Sequence, residues 1–127
     1  MQQRTHLAID PILVGAPVRL GPGEAEVQLT AAPAFAADER GLVHGGFTFG
    51  LADYAAMLAV NDPNVVLGGA ETRFLAPCVV GETLTATARV IEEKGKKRIV
   101  EVKVATHKPI FEGTFTCFVL ERHVLDA

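Results

Sequence analysis

Residues 45–60 read GGFTFGLADYAAMLAV, apolar on every face except for one ionisable side chain, Asp53. A helix that is hydrophobic all round belongs in a core. An ionised carboxylate there, without a partner, costs several kcal/mol or shifts its pKa. At sixteen residues the stretch is at or below the short end of the roughly 17–25 that span a bilayer, and it carries a carboxylate near its centre. It is read as a buried helix running from Gly45 to about Asn61, ended by Asp62-Pro63-Asn64, because proline disfavours helical geometry in the preceding residue and cannot continue the ladder.

Outside this helix the periodicity is that of strands. Residues 18–30, VRLGPGEAEVQLT, hold two alternating runs around Gly21-Pro22-Gly23 and predict a hairpin. A loop follows from Ala31 to Arg40. After the helix, strands are expected at Gly69–Leu75, Glu82–Glu93, Arg98–Thr106 and Ile110–Glu121, with turns at Glu93-Lys94-Gly95-Lys96 and His107-Lys108-Pro109. In LTATARVIEE and RIVEVKVAT apolar and polar residues alternate, so each strand buries one face. With no βαβ repeat, the expectation is an α+β fold, one buried helix wrapped by a curved antiparallel sheet, in a single domain spanning residues 1–127.

Composition narrows function. A formal charge of −3 leaves no broad basic surface for nucleic acid. MQQRTHLAID lacks the features of a secretory signal, and no membrane span is read, so a cytoplasmic protein is expected. Cys78 and Cys117 are too few for a disulfide framework or a zinc site and read as two buried thiols, and His6, His107 and His123 show no metal-ligand spacing; neither metal nor cofactor is expected.

His44-Gly45-Gly46 precedes the helix, where backbone N–H groups are unsatisfied and the dipole favours negative charge. Without β-carbons, Gly45 and Gly46 let a ligand approach those donors, as in an oxyanion hole; the alternative is a tight turn into the helix. Gly45 and Asp53 are eight residues apart, about 12 Å along a helix, too far to meet at one reacting carbon. If they share a site, they come from two chains, and an isologous dimer with antiparallel helices would form that site twice.

LVHGGFTFGLADYAAMLA, with an acidic residue nine positions after the histidine, resembles the active-site segment of hotdog-fold acyl-CoA thioesterases of the phenylacetate-pathway and 4-hydroxybenzoyl-CoA type. ETRFLAPCVVGETLTATARVIEEKGKK is similar to the family's strand, Pro, Gly and long-hairpin pattern, and the likeness covers roughly residues 15–121. It implies a hotdog dimer or tetramer that hydrolyses acyl-CoA thioesters between protomers. Asp53 then matches the catalytic carboxylate, as nucleophile or as general base, and Gly45 the donor that polarises the carbonyl. Six positions before the histidine the family usually has Asn or Gln; here the residue is Asp38, which near Asp53 would raise one of the two pKa values. A loop shift could place Glu39 or Arg40 there instead. Relatives also often carry a hydroxyl side chain after the helix; none stands around Leu67-Gly68-Gly69, and Thr48 and Thr72 are candidates to substitute, with a plain helix-start or sheet threonine as the favoured alternative for each.

Among supporting residues, His44 is read as holding the loop. Lys94, Lys96, Lys97 and Arg98 could meet coenzyme A phosphates, or form only a solvated turn. Phe47, Phe49, Tyr54 and Met57 are candidates for an acyl pocket, with plain core as the alternative. Two functions are weighed: an acyl-CoA thioesterase, and a hotdog module that binds acyl-CoA without turnover, as a sensor or store. A dehydratase of the same fold is disfavoured by the absence of its His-and-acid signatures.

Overall fold

The computed structural model describes residues 1–126. In chain order it contains α1 (Pro11–Val14), β1 (Ala16–Gly21), β2 (Glu24–Thr30), a 3-10 turn (Pro33–Phe35), α2 (Gly45–Val60), β3 (Val65–Phe74), β4 (Thr83–Lys94), β5 (Lys97–Ala105), β6 (Pro109–Val119) and a last 3-10 turn (Val124–Asp126). The six strands form one antiparallel sheet in the order β1-β2-β4-β5-β6-β3.

The expected alternation sets the register. Val27 pairs with Ala86 and Ala86 with Val104; Ala25 pairs with Ala88 and Ala88 with Val102; all lie on the inner face and are buried. Small residues on β2 and β4 let α2 settle close, helped by its own Ala52, Ala55, Ala56 and Ala59. On the far side, Phe111 and Phe115 of β6 supply the bulk. The sheet therefore curves around the helix, as expected from the sequence. At Gly113, between Val102 and Thr72, a β-carbon would stand 2.8 Å from Thr72 Cγ2, so glycine keeps β6 and β3 in register there.

Helix α2 ends as its sequence dictates. Asn61 takes the left-handed conformation (φ 53°) and its N–H donates to the Met57 carbonyl at 2.8 Å. Its side chain accepts from Arg4 N at 2.7 Å and donates to the Gln2 carbonyl at 2.9 Å, tying the amino-terminal segment to the helix end. Asp62 then accepts from Asn64 N at 2.8 Å and turns the chain into β3.

Two differences from the sequence reading have physical causes. Strand β3 begins at Val65, four residues before the expected Gly69, because a bulge between Leu67 and Gly69 breaks the alternation that would have announced it. The short helix α1 was not expected; Asp10 caps it through Ile12 N at 2.9 Å, Pro11 opens it, and Gly15 closes it. No helix is long and apolar enough to cross a membrane among the described residues.

Candidate active site

Helix α2 begins at Gly45 after His44, whose backbone is extended (φ −64°, ψ 131°) and whose side chain caps nothing. Among the described residues neither Gly45 nor Gly46 gives its N–H to a backbone carbonyl, so both donors are free at the positive end of the dipole. His44 is exposed; its N–H donates to the Phe35 carbonyl at 2.9 Å and its ring meets Phe47 edge-on at 6.1 Å. Phe47 in turn stacks on Phe35 with centroids 4.0 Å apart, so both side chains hold the loop against the helix start.

Gly45, though not Gly46, borders a cavity of about 360 Å³ lined also by Val43, Thr48, Cys78, Ile110 and the Phe74–Pro77 segment. Thr48 is buried beside the Cys78 thiol, whose pKa is raised above its ordinary value by burial and by the Glu82 charge, with the Thr48 hydroxyl acting in the opposite direction. No charged side chain of this chain lines the cavity.

Asp53 is half-buried two turns further on. None of the ion pairs among the described residues includes it, and burial alone pushes its pKa up from 3.8 to about 6. Cys117, fully buried on β6, lies within range of its charge; burial first, and Asp53 second, push that thiol up to about 12. Asp53 thus sits over an uncharged floor.

The remaining sequence candidates are placed as follows. Asp38 is exposed and its carboxylate accepts from Arg40 N at 3.0 Å and Leu42 N at 3.2 Å, closing its own turn. The like-charge effect on Asp53 expected for it does not operate within one chain, where burial is the sole cause. Glu39 and Arg40 are exposed in the same turn. Tyr54 points away from the cavity, buried under the amino-terminal segment, its hydroxyl accepting from Gln3 Nε2 at 3.2 Å. Lys94, Lys96 and Lys97 are exposed at the β4–β5 turn. Lys97 stands opposite Phe118 and Phe118 opposite Val66, where β3 begins, whereas Gly45 lies against Phe74, where β3 ends. The lysines stand at one end of the sheet and the Gly45 donors at the other, roughly 25 Å away along the strand, and Asp53 lies between them, about 12 Å along α2 from Gly45.

Phe74 and Ile110 were not singled out from sequence, and Cys78 and Cys117 were read only as two buried thiols, which they are. Phe74 and Cys78 both lie in the quoted ETRFLAPC segment, but nothing there set them beside Gly45. A depression of about 320 Å³ on the outer sheet face, lined by Glu71, Arg73, Glu101, Lys103 and Glu112 among others, carries interspersed charges of both signs and no unpaired backbone end. Among the described residues no group of three or more His, Cys, Asp or Glu could hold a metal.

Comparison with known proteins gives the same outline. The family model described as thioesterase superfamily matches residues 40–110. Protein PH1136 from Pyrococcus horikoshii superposes with a TM-score of 0.97 at 58% identity, covering 99% of this chain and 98% of that one. The PaaI protein from the phenylacetic acid degradation operon of E. coli superposes with a TM-score of 0.74 at 25% identity, covering 80% of each. A methylthioribose-1-phosphate isomerase from Aquifex aeolicus is 50% identical over 95% of this chain. The chain spans only 27% of that isomerase, and 42% of a transcription factor, FapR from Caldanaerobacter subterraneus, that is 32% identical over 66% of this chain.

Proposed function

The chain belongs to the thioesterase superfamily and has its hotdog fold, and from that premise we propose that it hydrolyses the thioester of an acyl- or aryl-coenzyme A at a site completed between two protomers. Helix α2 carries this reading: it opens with unpaired N–H groups at Gly45 and Gly46 and holds its one carboxylate, also unpaired, two turns on. The Gly45 N–H polarises the thioester carbonyl and stabilises the oxyanion, an interaction typically worth about 3–4 kcal/mol. Asp53 either takes a proton from the attacking water or attacks the carbonyl itself. In the first case the tetrahedral intermediate expels the coenzyme A thiolate, which takes up the proton Asp53 received from water, leaving the free acid; in the second, the thiolate leaves a mixed anhydride on Asp53, which water then cleaves, restoring the carboxylate, releasing the acid and supplying the proton the thiolate takes up. A pKa of about 6 leaves Asp53 ionised at neutrality yet basic enough to serve.

Two features support a shared site. Elsewhere in the sheet the inner face is covered, but Ala70 and Phe74 on the inner face of β3 are exposed, and β3 is a ten-residue edge with free backbone groups. Alongside it runs an incompletely covered stripe of α2, Gly46, Phe49, Gly50 and Asp53, at helical spacing. An antiparallel second copy seated on this stripe and edge brings its Gly45 toward Asp53 and completes two equivalent sites. Two such dimers could form a tetramer.

The test is free-thiol release from short-chain, medium-chain and aryl acyl-CoAs, with Asp53→Asn beside the parent. Turnover lost in Asp53→Asn is expected. A second reading, an acyl-CoA-binding module without turnover, is favoured by Asp38 being engaged in its own turn, by the lack of a hydroxyl around Leu67–Gly69, and by the likeness to a transcription factor. Acyl-CoA binding with no thiol released from any substrate would establish it instead.

A further inference from the structure

Resting on the thioesterase reading above, we infer that the Phe74 ring is the wall that sets which acyl groups reach the Gly45 donor, and that the group admitted is uncharged, apolar and either short-chain or aryl.

Phe74 is the last residue of β3 and stands opposite Phe111 on the inner face. The two rings meet edge to face, centroids 5.1 Å apart at 76°, and Phe111 is fully buried, so the core fixes the position of Phe74. Its other side lies on the helix start. A β-carbon at Gly45 would be 3.0 Å from Phe74 Cε2 and 3.4 Å from Cζ, so a side chain beside the free N–H would press on the ring and push it aside by a few tenths of an ångström. Despite this anchoring Phe74 is 58% exposed and Leu75 beside it 44%. Scattered apolar exposure is ordinary, but these two border one cavity and form a contiguous apolar lip. A carbonyl bound at the Gly45 N–H therefore has its substituent against the Phe74 face.

The cavity specifies the substituent. At about 360 Å³ it is near the small end of the roughly 300–1,000 Å³ typical of ligand sites. Among the described residues its only polar side-chain atoms are the Thr48 hydroxyl and the Cys78 thiol, neither of them charged. A terminal carboxylate on the acyl group would enter without a counter-charge from this lining and would face the Asp53 carboxylate of the proposed shared site, which is costly.

The experiment measures kcat/KM for a series of saturated acyl-CoAs from acetyl to dodecanoyl, with benzoyl- and succinyl-CoA, in the parent, Phe74→Leu and Phe74→Ala. The parent should prefer short or aryl groups and leave succinyl-CoA unused. Phe74→Ala should raise the decanoyl-to-butyryl ratio by about tenfold or more, within the range that a few methylenes confer, and Phe74→Leu by less. An equal change for every substrate would mean that the ring only packs, and efficient use of succinyl-CoA would overturn the apolar assignment. Calorimetric binding of non-hydrolysable S-alkyl-CoA thioethers of graded length reads the wall without turnover. A length preference that moves in both variants while no thiol is ever released would sink the hydrolase reading and keep the wall. Thioether affinities that keep the parent's length order in both variants would remove the wall whatever the turnover.

Discussion

At its first turn α2 offers backbone donors, no side chain and an uncharged cavity; two turns later it offers a carboxylate, no donor and a buried thiol beneath it. Each region has what the other lacks, and a rigid rod holds them about 12 Å apart. Neither can be moved to the other by a rotamer change or a loop shift. The contrast teaches what the proposed reaction demands: if both regions serve it, a second helix running the other way has to bring them together.

The comparison breaks most decisively at Asp53. Asp53→Asn keeps size and removes the base, and thiol release should fall by about a thousandfold, inside the 10²–10⁴ range for general acid–base groups. The divided helix makes a sharper statement. Asp53→Asn and Gly45→Pro, each strongly impaired alone, should regain activity when unfolded together and refolded, because in the proposed shared arrangement a mixed dimer holds one site with an intact Gly45 and an intact Asp53. Assaying the mixture decides it; no recovery would place both halves of the site within one chain.

Gly45 comes next. His44 already has the extended backbone (ψ 131°) that a residue before proline adopts, and proline is at home in the first position of a helix. Gly45→Pro therefore deletes the N–H while the helix start survives, and kcat should fall by about 10²–10³-fold. Gly45→Ala keeps the donor but presses on Phe74, and should cost about tenfold. If the two variants lose activity equally, crowding by the added atoms and not the missing donor is responsible.

How far the sequence announced this arrangement depended on where the physics was local. The helix was legible because an unbroken apolar run with one carboxylate has few other readings, and the hairpin strands because their alternation is regular. Gly45 and Asp53 could be singled out as candidates for the same reason: a glycine pair at a helix start and a lone charge on an otherwise apolar helix are both costly without a use. Strand β3 was hidden by its bulge at Gly68. The cavity was invisible because its walls come from α2, the end of β3 and β6, and nothing in Cys78 or Ile110 marks them apart from other core residues. Asp38 was read as a possible partner for Asp53, but its carboxylate closes its own turn, a bond that sequence spacing does not reveal.

Acidity separates the two regions as well. In the folded protein Asp53 titrates near 6, against 3.8 for the ordinary group. Below pH 4 it is protonated whether folded or not and contributes no difference. Between 4 and 6 the native state keeps a proton that the unfolded chain has released, so stability falls as pH rises, and above 6 the loss is complete. Asp53→Asn should thus be more stable than the parent at pH 8, by about 1–3 kcal/mol after discount for partial exposure, and no more stable at pH 4. Thermal melts at the two pH values read this. Activity should move the opposite way, kcat/KM rising through pH 6 as the carboxylate ionises, whereas a role confined to the Gly45 region would leave the profile flat there.

The smallest effect concerns the β4–β5 turn, which lies at the end of the sheet away from Gly45. Lys96 has a distant partner in Glu121 at 3.9 Å, and Arg98 is held by Glu93 at 3.2 Å and by the Gly95 carbonyl at 2.6 Å. Lys94 and Lys97 have no ion pair among the described residues. If these lysines meet the phosphates of coenzyme A, Lys94→Glu with Lys97→Glu should raise KM by about threefold at low salt, as expected for exposed charges, with kcat unchanged. The effect should vanish at about 0.5 M salt, where screening is short-ranged. A KM indifferent to both charge reversal and salt would leave the turn merely solvated, and the phosphates would then be held nearer the Gly45 end, where this chain supplies backbone donors in place of lysines.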